Sequence, residues 1–91
     1  MIDYGQGFHE TLLALGERAR NLRLLRKLRQ EELASRADVG IATLRRFEKT
    51  GVASMENVLR IATALSAERA FDKLFEAPPY ASIDEALARP E

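Results

Sequence analysis

The chain has 91 residues, 46% of them hydrophobic and 31% charged, with a formal net charge of zero at neutral pH. That size and balance suit one globular domain with a single modest core and argue against a disordered chain. The absence of cysteine excludes a disulfide framework and a thiolate zinc site, and the apolar runs are too short to span a membrane.

In residues 1–7, Gly5 and Gly7 discourage a helix start before Phe8. With Asp3 among them they do not resemble a secretory signal, so a cytoplasmic protein is expected. From Phe8 to Leu28 the pattern is helical, with Leu12, Leu15, Ala19, Leu22 and Leu25 or Leu24 near one face. Gly16 is a weak point that divides a short leader from a stronger helix, and the arginines at 18, 20, 23, 26 and 29 lie mainly off the stripe. Lys27-Leu28-Arg29 reads as a turn, without the Ser or Thr that usually caps a following helix.

Gln30 to Gly51 is the most informative stretch. Leu33, Ala34 and Ala37 give one short helix an apolar stripe, and Leu44 and Phe47 give one to a second. Between them Ala37-Asp38-Val39-Gly40 holds residue types that tolerate left-handed backbone. A short helix, a tight turn and a second helix make a helix-turn-helix, whose second helix can enter the DNA major groove. Gly51 is a natural stop.

Ser54 is a plausible N-cap for a helix reaching Leu65. Ser66 is expected to cap a fifth helix through Phe75 that buries Ala70, Phe71, Leu74 and Phe75. Pro78-Pro79 blocks continuation. Ser82-Ile83-Asp84-Glu85 has the S-x-x-E capping-box pattern and predicts two further turns ending near Arg89-Pro90. The expected organisation is an N-terminal extension (1–14), a helix-turn-helix domain (15–75) and a C-terminal tail (76–91). No strand is expected.

Groups for catalysis are sparse. His9 is the only histidine, and Glu31-Glu32 are adjacent on a helix, so their side chains diverge. Both carboxylates sit where they favour the helix dipole. Gly5-x-Gly7 follows no strand and precedes no phosphate-binding lysine. No enzyme, metal site or cofactor is expected. The charge distribution is more telling than its total. Residues 18–49 carry ten bases against four acids, and both flanks are acidic, so a basic centre is available for a phosphate backbone.

Leu15-Gly16-Glu17-Arg18 with Leu22-Arg23, then Gln30-Glu31-Glu32-Leu33-Ala34, Ala37-x-Val39, Thr43-Leu44 and Glu48, resembles the lambda-repressor-like, XRE-family helix-turn-helix proteins. Ser54 to Leu65 looks like that family's fourth helix and Phe71-x-x-Leu74-Phe75 like its fifth, so the resemblance covers residues 15–75. It implies an all-α, five-helix lambda-repressor-like DNA-binding domain. It also implies a small residue at Ala34 for close helix packing, core positions at Val39 and Leu44, a phosphate-contacting Gln30, and an Arg23–Glu48 ion pair.

The second motif helix departs from the family. Gly40, Ile41 and Ala42 stand where polar residues commonly contact DNA, so Ile41 and Ala42 offer at most a thymine-methyl contact. Polar recognition then falls to Thr43, Arg45, Arg46 and Lys49, with Arg46 favoured as the base reader and Arg45 as phosphate-facing. Asp38 replaces the usual turn glycine, and Arg29 the usual N-cap. The implied function is a homodimeric regulator, usually a repressor, reading a palindromic operator in double-stranded DNA. Tyr80, Ile83 and Leu87 are the expected dimer or partner contacts, while Phe71 and Phe75 read equally well as core. Two alternatives stand beside this. One is a HipB-like antitoxin that also holds a HipA-like kinase toxin; the other is a helix-turn-helix module that binds protein and no DNA.

Overall fold

The computed structural model describes residues 6–79 and 83–87, and every regular element among them is helical. α1 spans Gln6–Leu25, α2 Gln30–Ala37, α3 Ile41–Thr50 and α4 Met55–Ala64; a short 3-10 helix, η1, covers Glu68–Lys73, and α5 covers Ile83–Leu87. The protein is all-α, as its apolar periodicity predicts. α1 packs mainly on α3, α2 lies against both α3 and α4, and η1 leans on α4.

The core sits where these helices converge. Phe47, Leu33, Leu44, Ile61 and Leu65 are fully buried, and Leu28, Ala34 and Ala37 close the same cluster. Each large apolar side chain buried this way contributes about 1.5–3 kcal/mol. Ala34 is small enough to let α2 and α3 approach, and Val39 is half-buried against the cluster.

α1 is one continuous helix, without a division at Gly16, and it ends at Leu25 rather than Leu28. Gly16 is buried because α1 crosses the C-terminal end of α3 there. A Cβ on it would run into the Phe47 carbonyl oxygen and lie 3.0 Å from that of Glu48. Gly51 meets α1 from the other side. It caps α3 in a left-handed conformation (φ 77°), and its α-carbon faces the Leu12 carbonyl with no room for a side chain. Leu15, Ala19 and Leu22 of α1 face the core, whereas Leu24 and Leu25 are exposed. Arg23, expected off the stripe, is buried in their place.

The expected fifth helix at 66–75 needs correction. Leu65 and Ser66 close α4, with Ser66 itself left-handed (φ 59°), so it does not act as an N-cap. The next element is η1, with i→i+3 bonds such as Leu74 N–H to Phe71 O at 3.2 Å. Phe75 is again left-handed (φ 62°). Between these two residues the chain winds at three residues per turn over Glu68–Lys73. The three-residue repeat also breaks the 3.6-residue spacing that would gather Ala70, Phe71, Leu74 and Phe75 on one face. Only Phe71 is half-buried; Ala70, Leu74 and Phe75 are exposed. The expected helix near 82–89 is present as α5, while its proposed cap at Ser82 and end near Arg89-Pro90 lie outside the described residues.

Candidate nucleic-acid interface

The turn between α2 and α3 forms because Asp38 takes a left-handed conformation (φ 57°). Its N–H donates to Ser35 O at 3.2 Å and that of Val39 to Ala34 O at 3.0 Å, satisfying the last carbonyls of α2. Asp is one of the few non-glycine residues that visit that geometry. Gly40 then opens α3 in an extended conformation.

α3 buries Leu44, Phe47 and Glu48, and Ile41 is half-buried against the core. With 3.6 residues per turn, the opposite face carries Ala42, Arg46 and Lys49, flanked by Arg45 and Thr43. Ala42, Arg45, Arg46 and Lys49 are exposed, and Thr43 is half-buried. Ile41 is therefore committed in part to packing, which weakens its reading as a free contact residue. Among the described residues Arg46 and Lys49 have no ion-pair partner.

The orientation of α3 is held by a chain of polar contacts that starts in α1. Arg23 grips Glu48 in a fork, Nε to Oε2 at 2.7 Å and Nη2 to Oε1 at 3.0 Å, and its Nη1 donates to Leu28 O at 2.9 Å. Both side chains are nearly inaccessible, at 8% and 3%. Gln30, the first residue of α2, donates from Nε2 to Glu48 Oε1 at 3.0 Å and accepts from Arg45 Nε at 3.3 Å. One buried carboxylate thus joins α1 and the start of α2 to α3, and Gln30 carries the connection out to Arg45. No buried side-chain polar atom among the described residues lacks a partner.

Residues 14–73, well over half of the chain, match the model of the helix-turn-helix domain. The chain belongs to the helix-turn-helix family. Neither a curated protein nor a solved structure gives a match. The helix-turn-helix domain points to a DNA-binding regulator, of a kind that is typically not an enzyme. No helix among the described residues is long and apolar enough to cross a membrane.

Two further ties steady this helix-turn-helix, and neither is expected from the sequence. Arg60 of α4 donates to the Asp38 carbonyl at 3.1 Å and lies 3.5 Å from its carboxylate, pinning the turn; it also bonds Glu56 one helical turn back at 2.9 Å. The Glu56–Arg60 pair has a sequence signal in its i,i+4 spacing, whereas the contact with Asp38, 22 residues away, has none. At the start of α2, the Arg29 N–H donates to Glu32 Oε1 at 2.8 Å. That bond holds the Glu32 carboxyl below its ordinary pKa, with the nearby Arg29 and Arg36 charges adding to it. It supplies the reciprocal half of a capping box although Arg29 cannot accept a bond as Ser or Thr would.

Of the expected partner contacts, Ile83 and Leu87 are 71% and 74% exposed on α5, and Tyr80 falls outside the described residues.

Proposed function

We propose that this helix-turn-helix protein is a sequence-reading transcriptional regulator of the lambda-repressor-like, XRE type. It binds a palindromic operator as a homodimer and represses by occupying it. The observation that carries the reading is the Arg23–Glu48–Gln30–Arg45 chain, which fixes α3 relative to α1 and α2 while Arg46 and Lys49 stay exposed, with no ion-pair partner among the described residues. Rigid placement of a basic helix face is what major-groove docking requires. Gln30 and Arg45 sit at the edge of that face and serve as phosphate contacts. Arg46, near its centre, is the reader of a guanine edge, with Ala42 and Ile41 against a thymine methyl and Thr43 at the flank. One module of this size makes few base contacts, so a second copy on the other half-site supplies the remaining selectivity.

The test is binding to the DNA upstream of the chain's own reading frame, measured by fluorescence anisotropy across a salt series. Arg46→Ala is expected to weaken specific binding by about ten- to a hundredfold and relax preference at one position per half-site. Lys49→Ala should weaken all sequences alike and reduce the salt slope by about one. Absence of binding at low salt, or binding indifferent to Arg46, overturns the reading in favour of a protein-interaction module. A kinase-like toxin encoded beside the chain would shift it to an autoregulating antitoxin.

A further inference from the structure

The face of the domain formed by α2 and α4 carries a groove that the DNA reading leaves unused. It consists of two shallow depressions of about 500 and 410 Å³ that share Arg36 and Ala64 and so run into one another. The half lined by Ala37, Leu59 and Ala64 is mainly apolar, whereas the half lined by Leu28, Arg26 and Ser66 is mainly polar. The groove's rim carries Arg26, Arg36 and Arg60 against one acid, Glu56. Arg60 is already held by Glu56 and Asp38, whereas Arg26 and Arg36 have no ion-pair partner among the described residues.

The complement of that groove is on the same chain. α5, Ile83-Asp84-Glu85-Ala86-Leu87, places two apolar residues at i and i+4, on one face, with two acids between them. Ile83 and Leu87 remain 71% and 74% exposed, so α5 does not occupy the groove of its own chain. An amphipathic helix with apolar anchors one turn apart is the shape an apolar groove accepts.

We infer that the α2–α4 groove, rimmed by Arg26 and Arg36, receives the acidic α5 of a second copy, each copy offering its α5 to the other. Such an exchange is isologous and closes at two copies. It leaves Ala42, Arg46 and Lys49 outside the contact, so pairing and DNA contact are compatible. The inference rests on the proposed homodimer and names the surface that makes it.

Sedimentation equilibrium on the full chain tests both, with melting curves to verify that each variant is folded; Arg36 and Asp84 are exposed, so neither change should disturb the core. Arg36→Glu and Asp84→Arg should each weaken self-association by about tenfold or more, since each places like charges across the contact. Mixing the two variants should restore it, because both grooves then face an α5 of opposite charge. If the wild-type chain pairs but neither substitution weakens it, the groove is not the contact and the homodimer stands on another surface. If only the double variant within one chain restores behaviour and mixing does not, α5 folds back on its own groove and the exchange is wrong. A wild-type chain that stays monomeric at high micromolar concentration removes the homodimer and the inference together.

Discussion

Phe47 and Phe75 both come after charged, helix-compatible stretches in which apolar residues recur at three- and four-residue spacing, yet Phe47 is 1% exposed and Phe75 is 94% exposed. Local pattern does not separate them. The difference lies in the set of ties reaching each segment from elsewhere in the chain. α3 is closed by Gly40 and Gly51, approached closely by α1 at Gly16 and Leu12, and gripped through Glu48 by Arg23 and Gln30. η1 packs mainly on α4, and the chain after it passes through left-handed Phe75 towards Pro78-Pro79. Apolar spacing nominates a face for burial, and long-range ties decide whether a neighbour covers it.

The strongest way to break that contrast is to cut the main tie. Glu48→Ala leaves the Arg23 guanidinium buried with a single carbonyl partner and deprives Gln30 of its acceptor. Removing one partner of a buried ion pair costs about 3–5 kcal/mol, a large share of what a domain of this size possesses. Urea unfolding should show a correspondingly lower midpoint. A loss below about 1 kcal/mol would mean that the pair is solvated in solution and that apolar packing alone holds α3.

How far the fold and the site are legible in the sequence depends on the same distinction. The four main helices, the turn at Asp38 and the stop at Gly51 are local matters of periodicity and backbone tolerance, and the sequence states them. Burial of Leu33, Leu44 and Phe47 comes from periodicity as well. The Arg23–Glu48 contact is an expectation only through resemblance to a family, since two charges 25 residues apart carry no local mark. Arg60 on the Asp38 carbonyl has neither a local mark nor a family hint, and Gly16 belongs to the family-like motif without that motif stating its close approach to α3. In η1 the apolar pattern misleads, because it implies a 3.6-residue repeat where the backbone adopts three residues per turn.

Gly16→Ala sharpens the comparison at a second point. The added methyl meets backbone on three sides, the Phe47 and Glu48 carbonyls and the Gly51 nitrogen, none of which can swing aside as a side chain would. In an open helix the same change gains about 1 kcal/mol from propensity. Here the overpacking should outweigh that gain and leave a net loss of about 1–3 kcal/mol by chemical denaturation. A stabilised variant would show that α1 and α3 separate easily, and that Gly16 reflects no close crossing.

The smallest effect is the one that isolates the other side of the comparison. Phe75→Ala removes a ring that is almost wholly in solvent, so the change in stability should stay within about 0.5 kcal/mol, as for other surface positions. Measured at two protein concentrations about a hundredfold apart, the result separates two sources of any larger loss. A loss that grows with concentration would place Phe75 in a contact between copies, because self-association stabilises by mass action. One that is the same at both concentrations would place the ring back against its own domain, and the difference between Phe47 and Phe75 would then be one of degree. With no loss at either concentration, burial of α3 and exposure of η1 stand as consequences of the ties that one has and the other lacks.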